Sequence, residues 1–318
     1  MSFSSKVKEE LAKKTDGARH CLIAETAALI ALAGQILEKD DGSFEIYLVT
    51  ENRHLASAFF YIVRRCFSYA CEIRVQSSAG RMNWLLAVRD SGAALRILQA
   101  CKVLQAEDPE TDEEFIATDP VIIKNSCCRR AFLRGAFLAA GSANDPAKAR
   151  SYHFEIVCFD AHMAELLADV FESFGIAAGT VRRRRYHVVY LKDGDDISEA
   201  LNIIEAPLAM MEFENARIRR DLRARVNREV NCETANIGKT VTAAGQQIED
   251  IRLIEERMGL EGLPEGLKEM ARVRLDHPEA SLAYLGELMT PPVGKSGVNH
   301  RLRRLAQIAA KLREGREA

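Results

Sequence analysis

Apolar positions in this chain follow two rhythms, and the same succession of rhythms occurs twice between residues 20 and 205. Each pass opens on an apolar stretch rich in small residues that ends in glycine: TAALIALAG (Thr26–Gly34) and LRGAFLAAG (Leu133–Gly141), offset by 107 positions. A strand-like run follows, Phe44–Val49 in the first pass and Tyr152–Val157 in the second. Next comes a helical period, His54–Phe67 and His162–Phe174, with apolar residues three and four apart. Two further strand signals follow in each pass, Glu72–Gln76 with Asn83–Arg89, and Thr180–Arg184 with His187–Lys192. A closing helix, Ala93–Lys102 or Ile197–Glu205, completes the unit. The order is αββαββα or nearly so, with one strand signal where the first ββ pair would stand, and forms a tandem repeat with an acidic connector, Glu107–Asp119, between copies. In the opening helices Ala27, Ala28, Ala31 and Ala33 correspond to Arg134, Gly135, Leu138 and Ala140. Small residues at helical spacing let two backbones approach, so the two helices are expected to pack about a pseudo-twofold axis. Gly34 and Gly141 are expected to end them in a left-handed conformation.

The C-terminal pattern is different. His277-Pro278-Glu279 reads as a helix opening, with Leu282, Leu285 and Leu288 or Met289 as its apolar face. Thr290-Pro291-Pro292-Val293-Gly294 breaks it, and Ser296 is placed to cap a second helix. There Val298, Leu302, Leu305 and Ala309 form one buried stripe, while Asn299, His300, Arg303 and Arg304 face away from it. An apolar back with an Asn/His/Arg front suits the DNA major groove, where arginine pairs with guanine and asparagine with adenine. Ser296, Asn299, His300 and Arg303 are the candidates for base edges, because the N-terminal residues of a recognition helix reach them. Lys295, Arg301, Arg304 and Lys311 are the candidates for phosphate.

Charge strengthens that reading. The net charge of −2 over 318 residues is unevenly spread: −4 over residues 1–210 and +2 over 211–318. Lys295–Arg313 alone carries six bases and no acid, which draws phosphate. Glu212–Glu229 is also arginine-rich but holds four acids, and reads as a connecting rod with ion pairs such as Asp221 with Arg225 or Arg217, in preference to a phosphate contact. Arg182–Arg185 falls on a strand signal, where alternate side chains point to opposite faces. Composition narrows the class further. The longest apolar runs, such as Thr26–Ala33, fall far short of the roughly 20 residues of a membrane span. The N-terminus mixes both charges and has no apolar core of a secretory signal. The eight cysteines form no CxxC pair and no Cys/His cluster with zinc spacing, so they are expected to be reduced core thiols of a cytoplasmic protein.

The residues quoted carry two resemblances. TAALIALAG and LRGAFLAAG resemble two LAGLIDADG motifs of the homing-endonuclease family. That family implies motif helices at a central interface, strands laid in the DNA groove as a saddle, and an acidic metal ligand just before each final glycine. Two such acids hold the cations that activate water for phosphodiester cleavage. The corresponding positions here are Ala33 and Ala140, which hold no metal, and Glu38, Asp40, Asp41 and Asp145 do not fall at matching positions in the two repeats. The expectation is a nuclease-derived scaffold that is not an enzyme, with no catalytic residue, metal or cofactor. Two alternatives stand beside it: a metal-dependent endonuclease with displaced ligands, and a protein-interaction scaffold. The strands of Arg182–Arg185 fit a DNA saddle or a protein-binding face, and the reading stays open between them. The opening MSFSSKVKEELAK, NIGKTVTAAGQQIEDI (Asn236–Ile251) and SLAYLGELMTPPVGKSGVNHRLRRL (Ser281–Leu305) resemble the WhiA family of bacterial regulators. That resemblance covers nearly the whole chain. It implies a nucleoid-associated transcription factor that binds double-stranded promoter DNA and is linked to cell division and, in spore-formers, sporulation. The expected fold class is α+β: a pseudo-symmetric double LAGLIDADG (αββαββα) domain, then an all-α helix-turn-helix domain. The expected boundaries are an N-terminal helical segment at 1–19, the LAGLIDADG-like domain at 20–205 with units 20–105 and 127–205, a helical linker at 206–258, and the helix-turn-helix at 259–318.

Overall fold

A computed structural model describes residues 2–14, 17–78, 80–107 and 114–315. Helix α1 (Phe3–Ala12) precedes the first repeat, which runs α2 (Arg19–Ala33), β1 (Gly34–Glu38), β2 (Phe44–Thr50), α3 (Arg53–Phe67), β3 (Glu72–Ser78), β4 (Arg81–Val88) and α4 (Ser91–Cys101). A hairpin, β5 (Val103–Glu107) and β6 (Glu114–Thr118), separates it from the second repeat. That repeat runs α5 (Ser126–Ala140), β7 (Gly141–Ala143), β8 (Phe154–Cys158), α6 (Ala161–Glu172), β9 (Gly179–Arg183), β10 (Tyr186–Leu191) and α7 (Gly194–Ile203). Helix α8 (Pro207–Met258) follows, then α9 (Glu265–Asp276), α10 (Leu282–Glu287) and α11 (Lys295–Arg313). The two four-stranded sheets have the same strand order, β1-β2-β4-β3 and β7-β8-β10-β9, with antiparallel neighbours throughout. Each repeat is thus αββαββα. The chain divides into two compact units, Met1–Asp221 and Leu222–Ala318, and the division falls within α8.

Helices α2 and α5 pack on each other more extensively than any other pair. Small side chains are the cause: Ala24, Ala27, Ala28 and Ala136 are buried, and a Cβ on Gly135 would lie 2.6 Å from the Glu25 carbonyl oxygen. Such an approach excludes every residue but glycine at that point. Into the same interface the sequence places a charge that periodicity hides. Arg134 stands where the first repeat has Ala27, and its guanidinium donates to Glu25 Oε2 at 2.7 and 3.0 Å and to Glu205 at 2.8 Å. Glu25 is fully buried and its Oε1 has no partner among the described residues. Burial pushes its carboxyl upward and Arg134 pulls it back, with a net upward shift. A pair whose desolvation outweighs its attraction fixes which helix faces meet more than it adds stability.

Several local expectations are corrected. Gly34 and Gly141 are extended, not left-handed (φ −87° and −79°). Each helix turns straight into a strand, and a Cβ would run into Ile30 or Phe137 one turn back. The strands β1 and β7 that begin at these glycines carry no alternation of their own; pairing with β2 and β8 creates them. The acidic connector holds β5 and β6, and its centre, 108–113, lies outside the described residues. Ile116 packs on the core and Phe115 stacks on His162, which outweighs the surrounding acids. Only Arg182 and Arg183 lie in β9; Arg184, at φ 57°, and Arg185 form the hairpin turn. In α8, Arg217 pairs with Asp195 and Glu214, not Asp221, because α7 lies alongside. The first turn of α8 is capped from far away, with Glu10 accepting from the Leu208 and Ala209 amides. Among the cysteines, Cys66, Cys71, Cys101 and Cys158 are buried as expected, but Cys127 and Cys232 are exposed. Cys21, Cys127 and Cys128 also gather with His20 in space, although no zinc spacing joins them in the sequence. The four come from both repeats.

Arg134→Ala is expected to destabilise the N-terminal unit by about 3–5 kcal/mol, because it strands a desolvated carboxylate. Denaturant unfolding of the full chain checks this; a loss below about 1 kcal/mol contradicts the role given to the pair.

Candidate nucleic-acid interface

The C-terminal unit is built around α11. Val298, Leu302, Leu305 and Ala309 are all buried, and they meet Leu267, Met270 and Ala271 of α9, Leu285 of α10, and Ile251 and Ile254 near the end of α8. Arg274 of α9 is buried as well. It donates to Gln247 Oε1 at 2.7 and 2.9 Å and to the Ala280 carbonyl at 2.8 Å, which ties α8 to the turn after α9. That turn corrects the expected helix opening. His277 ends α9, and α10 begins later, with Ser281 accepting from the Tyr284 amide. A hydroxyl can cap an amide two or three residues on, whereas Pro278 has no such group. Between α10 and α11 the Val293 amide donates to the Gly286 carbonyl at 3.0 Å, so close that any Cβ on Gly286 would overlap the Val293 carbonyl oxygen. Gly294, not Ser296, is the N-cap of α11; Lys295 already has helical geometry, so Ser296 stands inside the first turn with its side chain exposed.

The side opposite the buried stripe is wet. Lys295, Ser296, His300, Arg303 and Arg304 are exposed and Asn299 is half-buried. At 3.6 residues per turn, Ser296, Asn299, His300, Arg303 and Arg304 share one arc of roughly 140°. Gln307 and Lys311 extend the same arc, both exposed. Gln307 is uncharged, so a charge pattern does not single it out, yet it stands four residues after Arg303. Arg301 falls outside the arc, half-buried beside Gly266 of α9. Among the described residues, Lys295, His300, Arg303, Arg304 and Lys311 enter no ion pair, whereas Arg313 is held by Asp250 at 2.6 Å. The face therefore presents cationic and amide groups without ion-pair partners among the described residues.

The degenerate motif ends lie elsewhere. Ala33 and Ala140 close α2 and α5, half-buried, and neither side chain offers a ligand atom.

Comparison with known proteins settles the family. The WhiA C-terminal HTH domain matches residues 226–309, and the WhiA LAGLIDADG-like domain matches 129–223. A protein described as probable cell division protein WhiA, from Lachnoclostridium phytofermentans, is 44% identical over 99% of this chain and 100% of its own length. The chain belongs to the WhiA family. A WhiA relative from Desulforamulus reducens is likewise 44% identical, over 100% of this chain and 98% of its own. The crystal structure of full-length WhiA from Thermatoga maritima matches with a TM-score of 0.60 at 27% identity, covering 98% of this chain and 99% of that one. The WhiA architecture of a LAGLIDADG-like domain followed by a helix-turn-helix is thus that of this chain. Among the described residues no helix is long and apolar enough to cross a membrane.

Two glycines of the WhiA helix-turn-helix, Gly286 and Gly297, are expected to respond with opposite signs. Gly286→Ala is expected to destabilise the C-terminal unit by about 1–3 kcal/mol through overlap in the turn. Gly297→Ala, whose Cβ would meet nothing nearer than 3.5 Å, is expected to stabilise α11 by about 0.5–1 kcal/mol. Thermal unfolding of the two variants distinguishes them, and equal shifts would contradict the turn geometry.

Proposed function

We propose that this chain is a sequence-specific DNA-binding transcriptional regulator with a part in bacterial cell division and, in a spore-former, in sporulation. The observation that carries the reading is the front of α11: a polar and basic arc without internal ion pairs, on a helix whose back is locked into a helix-turn-helix core. Inserted in the major groove, Arg303 pairs with guanine and Asn299 with adenine, with Ser296 and His300 beside them. Lys295, Arg301 and Arg304 hold phosphates, Arg301 from the flank. The link to division comes from the relatives, which are described as probable cell division proteins. The place of action is the cytoplasm, at the nucleoid.

The LAGLIDADG-like domain acts here as scaffold without phosphodiester chemistry. In-line displacement needs carboxylate oxygens for its cations, and Ala33 and Ala140 supply none. A protein partner, and not DNA, is the better occupant of its open sheet faces. Glu45 of β2 and Glu155 of β8 lie on the same face of equivalent strands, two positions apart in register, and each collects the nearby positive charge. Lys39 reaches Glu45 at 2.7 Å, while His153 and Arg183 reach Glu155 at 2.8 and 3.1 Å. A face neutralised in this way has little left for phosphate.

Mobility-shift titration of the full chain on its promoter DNA tests the first part. Arg303→Ala is expected to weaken specific binding by about 1–3 kcal/mol and to relax base preference at one position. Arg304→Ala is expected to weaken all sequences alike and to reduce the salt slope by about one. If both variants bind with unchanged affinity and salt dependence, α11 is not the recognition helix. Incubation of supercoiled plasmid with the protein and magnesium or manganese is expected to leave it intact; metal-dependent nicking that survives repeated purification would show an active nuclease instead.

A further inference from the structure

The first turns of α2 and α5 carry two adjacent pairs of soft donors, His20-Cys21 and Cys127-Cys128. The 107-residue offset of the repeats places His20 on Cys127 and Cys21 on Cys128, so packing of the two helices brings all four to the pseudo-twofold axis. One donor atom from each lies within 4.8 Å of the others. His20 Nδ1 is 3.2 Å from Cys128 Sγ, 3.4 Å from Cys21 Sγ and 4.0 Å from Cys127 Sγ. Tetrahedral zinc, with Zn–S about 2.3 Å and Zn–N about 2.0–2.1 Å, sets a nitrogen roughly 3.6 Å from each sulfur and the sulfurs roughly 3.8 Å apart. The nitrogen edges already match that tetrahedron to within about half an ångström.

From this geometry we infer that His20, Cys21, Cys127 and Cys128 form a closed Cys3His site for a thiolate-preferring divalent cation, zinc, joining the two repeats. Three sulfurs and one imidazole make a donor set that selects zinc over magnesium or calcium, which take oxygen. Cys128 is buried while His20 and Cys127 are exposed, so the ion has a way in from solvent. Both helix starts lack a side-chain cap, since neither Ala18 nor Asn125 makes one. The site lies about 13 residues, roughly 19 Å along the helix, from Ala33 and Ala140, so it is separate from the motif ends. Its role is structural. It fastens the ends of the two helices remote from those alanines, where the interface is open to water.

The test is cobalt titration of the full chain, stripped of metal and kept in a non-thiol reductant. One equivalent of cobalt is expected to give thiolate-to-metal charge-transfer absorption in the near ultraviolet and the strong visible bands of a tetrahedral ion, both erased by one equivalent of zinc. His20→Ala and Cys127→Ser alter exposed side chains and are expected to keep the far-ultraviolet circular dichroism spectrum while weakening cobalt binding at least about tenfold. Zinc is expected to raise the unfolding midpoint of the native chain and not of these variants. Cys232→Ser is expected to leave the titration unchanged. Absence of the charge-transfer band in the native chain overturns the proposal. So does a band that persists at native affinity in both variants, because the ion then sits at other thiols.

Discussion

The approach of α2 to α5 is the constraint on which the N-terminal unit depends. With Gly135 against the Glu25 backbone, the helices meet closely enough that only small side chains fit between them, and the two repeats become related by the axis between them. Everything that follows in each repeat is placed by that axis. Each motif helix runs without a loop into the first strand of its sheet, because Gly34 and Gly141 let the chain turn without a side chain in the way. Arg134 and Glu25 add an element that close packing alone does not require. A buried pair of this kind is costly when broken and contributes little when formed, so its effect is to select one arrangement of two helices that share nearly the same small-residue surface.

A different logic governs the C-terminal unit. Its core is an ordinary apolar one, and α11 divides its surface sharply between the two sides. Asp250 draws Arg313 to the α8 side, while the basic residues of the opposite arc pair with no acid among the described residues. This separation gives the arc its meaning. Basic side chains elsewhere in the chain, such as Arg134, Arg183 and Arg217, are engaged by carboxylates of the same chain. A charge already neutralised offers little to phosphate, and on α11 the bases without ion pairs among the described residues gather on one exposed arc.

The helix interface of this WhiA-family chain needs no ligand-bearing side chain at its motif ends. Alanine at positions 33 and 140 keeps the size that helix packing demands and offers no carboxylate. The pseudo-twofold geometry survives because it is held by small residues and by Arg134, none of which depends on a bound ion at that end of the helices.

Much of this was legible in the sequence. The tandem repeat of helices and of the strands other than β1 and β7, the small-residue faces of the motif helices and the Val298–Ala309 stripe rest on periodicity, which local sequence carries in full. So did the front of α11, because a single helix sets the angular positions of its own residues. What the chain could not disclose locally were contacts between its copies and across its length. Strands β1 and β7 exist only through their partners, Glu10 caps a helix nearly two hundred residues away, and the thiols at 21, 127 and 128 meet His20 only when the repeats pack. Ser296 and Pro278 misled because several nearby residues could have begun a helix, and the choice fell to where packing placed the turn. Periodicity fixes which side of an element is apolar; which element that side meets, and what polar groups are brought along, is decided by tertiary packing, since those energies arise between residues far apart in the chain.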